Sequence, residues 1–370
     1  MKVVIAMDYF KGSLPSLPAG HAAAEGIRRV YPDVEIFVLP LADGGEGTVD
    51  AILSCKGAEA KSVSVCGPLG EPVEAVYALW NGTAYMEMSA AAGITLISPE
   101  ERNPLHTTTY GVGEMIRHGI MQGCRDFVIG IGGSATNDGG VGMLQALGFA
   151  FLDDAGEPVP LGAKGLEKIA SVGRDKAMPE LQECRFHIAC DVTNPLCGKL
   201  GCSAVYGPQK GATEDMIARM DAALSRFASL SDVDPNTPGS GAAGGLGFAF
   251  LAYLNGELKP GVDLILKKTQ LESYVKDADI VITGEGRLDG QTAMGKAPVG
   301  VAKLAKKHGK KVIAFSGCVT KDAKKCNEAG IDAFFPIVRT VCTLEEAMDT
   351  ENAFSNMADT AEQVFRLLHA

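Results

Sequence analysis

The apolar pattern near the start of the chain predicts a βαβα arrangement. Residues 2–7 form a run of apolar and β-branched residues, which is typical of a strand buried on both faces. Residues 19–30 place apolar side chains at helical spacing, residues 35–39 predict a second strand, and a short helix is expected to end near Leu53. Both strands are followed by polar, glycine-containing loops, as at the ligand-binding edge of open α/β sheets.

The same alternation of strand and helix returns at the end of the chain. Six elements are predicted there, namely a strand at 279–283, a helix at 295–307, a strand at 311–315, a helix at 321–328, a strand at 332–337 and a helix at about 345–368. Two βα units from the start and three from the end would complete one parallel sheet.

The middle of the chain has a different pattern. Residues 62–66, 73–79 and 84–88 are short alternating segments separated by glycine-containing turns, which predict antiparallel hairpins. Further strands are expected at 126–131 and 185–190. A helix at about 111–118 precedes the first of these strands, and a helix at about 214–230 follows the second. We therefore predict an α/β protein with a Rossmann-like parallel-sheet domain built from residues 1–62 and 277–370. We expect residues 63–276 to form an inserted second α/β domain.

The charge and the cysteine content limit the kinds of partner that the protein is expected to bind and the cellular compartment in which it is expected to occur. The chain has 370 residues and a formal net charge of −11, which argues against a nucleic-acid-binding or anionic-membrane surface. Its longest uncharged apolar run, residues 242–254, is too short to span a bilayer. The ten cysteines include no C-x-x-C pair, so we expect reduced thiols and a cytoplasmic location.

Residues 280–298 suggest a phosphate-binding loop of an unusual design. An apolar run is followed by a glycine-rich segment with Glu285, Arg287 and Asp289, which we expect to be a turn, and then by Lys296 at a helix start. Residues 290–296 match G-x-x-x-x-G-K, but the next residue is an alanine where a P-loop has a serine or threonine for the metal. An ordinary βα turn remains the alternative.

Carboxylates follow three predicted strands of the same parallel sheet. Each of these carboxylates has a second charged residue close by in the sequence: Asp8 has Lys11, Asp43 has Glu46, and Glu285 has Asp289. Because parallel strands bring their carboxyl ends to one edge, we expect these loops to meet there. Carboxylates gathered around a few lysines suit Mg²⁺-assisted phosphoryl transfer. The alternative is that each aspartate caps a helix or a turn.

Two further motifs lie in the predicted inserted domain. Residues 130–135 fit the dinucleotide fingerprint G-x-G-x-x-A, with Asp153 downstream, but six more residues separate them from the next helix, which favours another kind of nucleotide or phosphate loop. Asp191 follows a strand and is a candidate base for a substrate hydroxyl, a candidate metal ligand or a turn former. Several residues could bind hydroxyl or carboxylate groups of a small substrate, namely Ser89, Thr107, Thr108, Ser134, Thr136 and Asn137.

Taken together, the motifs resemble those of the bacterial glycerate kinase (type 1) family along nearly the whole chain. The matching segments are 8–13, 42–48, 132–140, 207–211, 241–245 and 284–289. The resemblance implies transfer of the ATP γ-phosphoryl group to D-glycerate, giving 2-phospho-D-glycerate and ADP. Phosphorylation of the 3-hydroxyl is the alternative. It also implies Mg²⁺, two unlike α/β domains, the inserted one with a mixed sheet, and an active site in the cleft between them.

We assign roles within this expected site by the chemistry of each residue. Lys11, Asp191 and Asp43 are the catalytic candidates, with Asp191 as the acceptor of the hydroxyl proton. The remaining candidates divide into a substrate group (Arg287 for the carboxylate, with Ser89, Ser134, Thr136 and Asn137), a phosphate or ATP group (Lys296, Lys210, Gly284, Gly286, Gly132 and Gly133) and metal ligands (Glu46, Glu285 and Asp289).

Two other classes of function remain open from the sequence. One is a nicotinamide-dependent hydroxy-acid oxidoreductase that uses residues 130–135, and the other is a non-catalytic sensor of small hydroxy acids. In each case the expected partners are small molecules, with no nucleic acid or membrane, and the protein is expected to be a monomer or homodimer.

Overall fold

A computed structural model describes residues 1–369 of the chain. The strands in this range are β1 (Lys2–Met7), β2 (Glu35–Pro40), β3 (Glu59–Cys66), β4 (Pro72–Trp80), β5 (Thr83–Glu87), β6 (Asp126–Gly130), β7 (Ala150–Leu152), β8 (Ser171–Gly173), β9 (Arg185–Ala189), β10 (Glu257–Lys259), β11 (Ile280–Leu288), β12 (Lys311–Val319) and β13 (Ala333–Pro336).

The α-helices connect these strands and cover the sheets. They are α1 (Ser16–Arg28), α2 (Thr48–Leu53), α3 (Ser89–Ala92), α4 (Tyr110–Met121), α5 (Val141–Ala146), α6 (Ala163–Leu166), α7 (Cys202–Tyr206), α8 (Glu214–Ala228), α9 (Ala242–Tyr253), α10 (Gly261–Lys268), α11 (Leu271–Val275), α12 (Ala297–Lys307), α13 (Lys325–Glu328), α14 (Leu344–Met348) and α15 (Thr350–His369). Short 3₁₀ turns lie at Ile94–Leu96, Pro99–Glu101, Pro179–Glu183, Pro208–Lys210 and Thr292–Met294.

The chain divides into two compact units. The terminal unit contains residues 1–43, 50–55 and 262–369, and the central unit contains residues 44–49 and 56–261. The domain boundaries predicted at 62/63 and 276/277 stay a prediction, because compactness alone does not define a domain that folds by itself.

The terminal unit is built on a five-stranded, fully parallel sheet. Its strand order is β13-β12-β11-β1-β2, so the first strand of the chain pairs with β2 on one side and with β11 on the other. The prediction that two βα units from the start and three from the end form one parallel sheet is confirmed.

Alternation along β1 explains how helices cover both faces of this sheet. Val3 and Ile5 pack in one apolar cluster with residues of α1 and α15. Val4 and Ala6 point to the opposite face, where they pack with residues of α10, α11 and α12. Successive strand residues face opposite sides, so a strand with helices on both faces must be apolar throughout.

The central unit contains a six-stranded mixed sheet with the order β10-β9-β6-β5-β4-β3. Strands β3, β4 and β5 pair antiparallel, which confirms the predicted hairpins, and β5, β6, β9 and β10 run parallel. Strands β7 and β8 form a separate antiparallel pair. One large apolar core fills this unit, and it includes the fully buried side chains of Phe127, Phe186 and Phe250.

Two predicted helices differ from those observed, and a third observed helix is kinked. The expected helix at 321–328 is limited to α13, and the last helix is split into α14 and α15 because Asp349 adopts an extended ψ of 131° between them. The apolar helix α9 starts with a kink, since Ala243, Gly244 and Gly245 all have positive φ. Gly244 is required there, because a Cβ would lie 2.1 Å from the carbonyl oxygen of Thr136.

Each helix in residues 1–369 is either too short or too polar to cross a lipid bilayer.

Candidate functional site

A carboxylate cluster lies at the switch point of the terminal unit's parallel sheet. From β1 the chain continues through α1 to β2 on one side, whereas β11 continues through α12 to β12 on the other, and the two helices cover opposite faces. Open α/β sheets bind ligands at the carboxyl ends of strands where the order reverses in this way. Asp8 follows β1, Asp43 follows β2 and Glu285 lies near the end of β11, so three predicted carboxylates meet at this edge.

The carboxylates of this cluster repel one another in a partly buried setting. Burial raises the pKa of Asp8 well above its usual range, and the nearby Asp43 and Glu285 raise it further. Burial also raises the pKa of Glu285 to about 7, although a hydrogen bond from Thr292 and the charge of Lys296 oppose the shift. Such a cluster is stabilised by a proton or a cation, so it suits a site that binds a metal–phosphate complex.

Buried hydrogen bonds hold the strand ends that carry these carboxylates. Ser16 is 3% exposed, its Oγ donates to the carbonyl oxygen of Met7 at 2.6 Å, and it accepts the N–H of Leu41 at 3.0 Å. One side chain at the start of α1 therefore fixes both the residue before Asp8 and the residue two before Asp43. The N–H of Asp8 donates to the carbonyl oxygen of Gly284 at 2.8 Å, which extends the link to β11.

Thr292 positions Glu285 and closes the turn after β11. The hydroxyl of this fully buried residue donates a short hydrogen bond to Glu285 Oε1 and accepts the N–H of Asp289 at 3.1 Å. Asp289 Oδ1 in turn accepts the N–H groups of Gln291 and Thr292 at 2.9 and 3.1 Å. Asp289 therefore caps the 3₁₀ turn, while its other carboxylate oxygen lies 3.4 Å from Arg287 Nε.

The expectation of a glycine-rich turn at residues 284–289 is wrong for residues 284–288. Strand β11 continues to Leu288, and Gly284 pairs with Phe315 of β12. A Cβ on Gly284 would lie 2.1 Å from the carbonyl oxygen of Phe315, so the glycine allows the strands to stay close. Gly284 and Gly286 thus lie in a strand, and their predicted role in phosphate binding stays a prediction.

Three basic residues flank the cluster in the terminal unit. Lys11 is exposed at the tip of a tight loop between Phe10 and Leu14, and its charge opposes the rise in the pKa of Asp8. Lys296 is the N-cap residue of α12, as predicted, and its charge lowers the pKa of Glu285. Arg287 is largely exposed, with 66% of its side chain accessible. Positive charge and a helix N-terminus at this edge are suited to phosphate.

Within residues 1–369, no group of three His, Cys, Asp or Glu side chains converges as a ready-made metal cage.

Other predicted site residues lie in the central unit: a metal ligand, the catalytic base and a substrate residue. Glu46 is exposed in the segment 44–49, where Gly44 packs so closely that a Cβ would lie 2.2 Å from Ala189 Cβ. Asp191 is exposed after β9, and its Oδ1 accepts the N–H of Gly261 at 3.1 Å. Ser89 begins α3 and is half-buried.

A buried lysine organises the loop that follows β6. Lys210 is 2% exposed and donates to Ser134 Oγ at 2.7 Å and to the carbonyl oxygen of Thr136 at 2.6 Å. Burial lowers the pKa of Lys210 to about 8. The structure therefore brings Lys210 to Ser134 and Thr136, which precede it in the sequence by 76 and 74 residues.

The other predicted residues of this loop differ in accessibility. Asn137 is fully buried and donates to Ser203 Oγ at 2.8 Å, and Thr136 is also fully buried, with its hydroxyl left without a hydrogen bond within residues 1–369. Gly132 and Gly133 are exposed, and Gly133 has a φ of +72° that favours glycine. The backbone of Gly132 and Gly133 is thus accessible to a ligand, whereas the side chain of Asn137 is bound within the core.

The nicotinamide alternative gains no support from the geometry. Strand β6 ends at Gly130, and helix α5 begins only at Val141 and has six residues. Asp153, the expected ribose ligand, instead accepts the N–H groups of Ala155 and Glu157 at 2.9 and 3.0 Å in the turn after β7. The short strand-to-helix turn of a dinucleotide site is not formed.

Sequence reasoning missed three polar residues that shape these regions, namely Ser16, Thr292 and Asp138. Asp138 is fully buried and accepts the N–H groups of Thr109, Gly140 and Gly142 at 2.8, 3.1 and 3.3 Å. Burial raises its pKa, and these hydrogen bonds oppose the shift. A D-x-x-T spacing at 289–292 was a possible signal for Thr292. For Ser16 the partner Leu41 is too distant in sequence to be read from a pattern, and Asp138 joins the nearby Gly140 and Gly142 to the equally distant Thr109.

Comparison with known proteins identifies the family to which the chain is similar. The family model for the glycerate kinase family matches residues 3–369. A glycerate kinase of Haemophilus influenzae is 45% identical, covering 100% of this chain and 99% of the relative. A glycerate 2-kinase of Escherichia coli K12 is 42% identical, covering 98% of this chain and 97% of the relative.

The structural comparison gives the same result. A crystal structure described as glycerate kinase 2, from Salmonella typhimurium LT2, superposes with a TM-score of 0.92 at 46% identity, covering 100% of this chain and 98% of the other. The chain therefore belongs to the glycerate kinase family.

Proposed function

We propose that this protein transfers the γ-phosphoryl group of ATP to the 2-hydroxyl of D-glycerate, giving 2-phospho-D-glycerate and ADP. Membership of the glycerate kinase family supports the reaction class, and the 2-kinase name of the Escherichia coli relative supports the choice of hydroxyl. The observation that carries the proposal is the carboxylate cluster of Asp8, Asp43 and Glu285, with Lys11 and Lys296 beside it at the sheet's switch point.

Mg²⁺ fits the carboxylates of this chain. Burial and mutual repulsion raise the pKa of Asp8 and of Glu285, so a divalent cation would relieve the charge that a proton otherwise relieves. Asp43, Glu285 and Asp289 would hold Mg²⁺ directly or through water, and Glu46 is a further candidate. When bound with ATP, Mg²⁺ neutralises charge on the β- and γ-phosphates.

The basic residues of the terminal unit would bind the ATP phosphates. Lys11 is carried by a loop anchored at both ends by the Phe10–Leu14 backbone pairing, and Lys296 caps α12, whose N-terminal amides favour anions. We place Gly284, Gly286, Gly132, Gly133 and Lys210 in the same proposed role. For the buried Lys210 this role would be indirect, through Ser134 and Thr136.

Asp191 is the proposed acceptor of the hydroxyl proton. In the reaction the substrate oxygen bonds to the γ-phosphorus, the bond from that phosphorus to the bridging oxygen breaks, and ADP leaves. The proton of the hydroxyl passes to the Asp191 carboxylate, which is exposed and can meet a substrate. Arg287 would pair with the glycerate carboxylate, and Ser89 and Ser134 are further candidates for substrate contacts. Thr136 and Asn137 are fully buried, so any effect of theirs on the substrate would be indirect, through the loop that contains them.

The reaction is tested by ADP release with and without D-glycerate, followed by ³¹P NMR of the product. We expect ADP release that depends on D-glycerate and a phosphorus signal coupled to the proton on C2. A signal coupled to the two C3 protons would shift the proposal to the 3-hydroxyl. ADP release that is independent of D-glycerate would remove the proposed function.

The role of Asp191 is tested by Asp191→Asn, which keeps the size of the side chain but removes its ability to accept a proton. Loss of a general base typically costs about 10²- to 10⁴-fold in rate, so we expect kcat to fall by this order. ATP binding, measured by calorimetry, should stay near that of the unmodified protein. A variant with near-normal kcat would exclude Asp191 as the base.

We also propose a cytoplasmic location. All ten cysteines are free thiols in the structure, which is consistent with a reducing compartment. A monomer or a homodimer is the proposed assembly, and sedimentation equilibrium of the purified chain distinguishes the two.

A further inference from the structure

The terminal unit has a second concave surface, along helix α12 and beside the pair α10 and α11. This groove has a volume of about 630 Å³. Small-molecule sites typically occupy roughly 300–1,000 Å³, so the groove is large enough for a metabolite. None of the residues that we assign to catalysis, substrate or phosphate lines it. Gly300 does line it, and a Cβ there would lie 2.6 Å from Val262 Cγ2, so this glycine lets α10 lie close to α12.

Four lysines line the groove, and they come from α10, from α12 and from the residue directly after α11. They are Lys267 on α10, Lys276 after α11, and Lys303 and Lys307 on α12. Four lysines converge here although the chain as a whole has a net charge of −11. Like charges gathered in a concave surface repel one another, and an anion placed among them relieves that repulsion.

The two carboxylates of the groove do not balance these lysines. Glu272 accepts hydrogen bonds from Lys307 Nζ at 3.0 Å and from His308 Nε2 at 2.9 Å, and these bonds lower its pKa. Glu272 is therefore ionised and already paired. Asp263 is the only other carboxylate among the lining residues.

The three remaining lysines are less closely paired than Lys307. Within residues 1–369, none of Lys267, Lys276 and Lys303 forms a salt bridge, and the side chains of all three are exposed, although the charge of Lys276 also helps to lower the pKa of Glu272. Four lysines against the two carboxylates of Glu272 and Asp263 leave the groove an excess of positive charge.

The other lining residues indicate what else the ligand would contain. Leu266 and Leu304 give the groove an apolar part, and Gln270 and Ser273 supply neutral hydrogen-bonding groups. Gln270 has a φ of +54°, an uncommon conformation for a residue other than glycine. A ligand with several negative charges and a short apolar portion matches this lining.

We propose that the groove is a second ligand site, which binds a small phosphorylated molecule carrying at least two negative charges. Phosphate oxygens match lysine ammonium groups as strong hydrogen-bond acceptors, and several lysines can share one diphosphate. An occupant would contact α12, whose N-cap Lys296 lies beside Glu285, and would thereby modulate turnover. This regulatory consequence rests on the proposed function, whereas binding itself does not.

Isothermal titration calorimetry with inorganic pyrophosphate tests the site in the full chain at low ionic strength. Saturating Mg²⁺–β,γ-imido-ATP and D-glycerate are added first, so that the catalytic site is filled. The groove variant is Lys267→Ala/Lys303→Ala. The matched control is Lys168→Ala/Lys176→Ala, which removes the same charge from exposed positions of the central unit.

We expect the unmodified protein and the control to bind pyrophosphate with equal affinity, and the groove variant to bind roughly ten-fold more weakly. All three proteins should keep the same glycerate-dependent ADP release without pyrophosphate. Equal affinity in the groove variant, or no binding to the unmodified protein once the nucleotide analogue is present, would overturn the second site. Failure of ADP release with pyrophosphate binding intact would count against the proposed function alone.

Discussion

At the scale of single residues, Lys210 is unusual because its ammonium group is buried and donates no hydrogen bond to a carboxylate. Burial lowers its pKa from 10.5 to about 8, so between these values the unfolded chain binds more protons than the folded protein. The free energy of unfolding therefore rises with pH across that window, by roughly 3 kcal/mol in total, as Lys210 loses its proton. The charged form is tolerated at lower pH because Ser134 and the Thr136 carbonyl accept its hydrogen bonds.

This linkage predicts a pH-dependent difference between the unmodified protein and Lys210→Met. We expect the free energy of unfolding, measured by urea titration, to rise in the unmodified protein relative to the variant as the pH increases from 8 toward 10.5. The exposed Lys199→Met is the control and should show a constant difference. A constant difference for Lys210→Met as well would mean that Lys210 titrates near its ordinary pKa.

Thr292 is predicted to act on the metal–nucleotide complex through Glu285. Thr292→Val keeps the side-chain shape but removes the hydroxyl that holds Glu285 and accepts the Asp289 N–H. We expect the KM for Mg²⁺–ATP to rise by about ten-fold, with a loss of stability of about 1–2 kcal/mol from the unpaired N–H. The KM for D-glycerate should change little.

Thr292→Ser separates positioning from a merely structural role, since it restores the hydroxyl without the methyl group. We expect Thr292→Ser to recover the KM for Mg²⁺–ATP. If Thr292→Val leaves that KM unchanged and only lowers the unfolding free energy, Thr292 does not position Glu285.

The sequence could identify Asp8, Asp43 and Glu285, because carboxylates after strands of one parallel sheet must meet at one edge. It could not identify Ser16, whose hydroxyl joins two strand ends. Its partner Leu41 is 25 residues away, and a serine near a helix start is common in any case. It also could not show that Thr136 and Asn137 are fully buried, since burial of polar loop residues depends on tertiary packing.

At the scale of elements, strand β11 is where local signals misled. Glycine favours turns in most sequences, so a strand containing Gly284 and Gly286 was expected to end before them. The pairing with β12 continues to Leu288 instead, and at Gly284 the neighbouring backbone leaves no room for a Cβ. Gly284 thus serves the close approach of two strands, a property of the sheet and not of the local sequence.

This explanation predicts that Gly284→Ala destabilises the protein. The new Cβ would lie 2.1 Å from the Phe315 carbonyl oxygen, and backbone cannot move aside as a side chain can. We expect a loss of about 2–3 kcal/mol in unfolding free energy by chemical denaturation. The control is Gly132→Ala, where nothing lies within 4 Å of an added Cβ and the loss should be small. Equal effects of the two substitutions would contradict the packing explanation.

At the scale of the whole molecule, the two units differ in how their sheets are assembled. In the terminal unit the central pair β1 and β11 joins residues near both ends of the chain. In the central unit every strand of the mixed sheet lies between residues 59 and 259. The sequence predicted this arrangement because the strand–helix alternation stops and resumes. The sequence does not show which sheet α10 and α11 cover, since both look like any amphipathic segment and only their packing reveals it.

Two fragments decide where the boundary lies. Fragment 44–261 follows the compact central unit, whereas fragment 63–276 follows the boundaries expected from the sequence. The second fragment cuts into β3 and carries α10 and α11, whose apolar residues Leu266, Leu271 and Val275 pack on the terminal unit's sheet. Without that sheet these side chains would be exposed to water, which favours association.

We therefore expect fragment 44–261 to be monomeric, with one cooperative urea transition by circular dichroism, because its large apolar core is complete. Fragment 63–276 should be less stable and should associate in sedimentation experiments. A fragment of residues 1–55 should remain unfolded, since β1 and β2 lack their partner β11. If instead 63–276 is the more stable and monomeric of the two longer fragments, α10 and α11 belong to the folding unit of the central sheet.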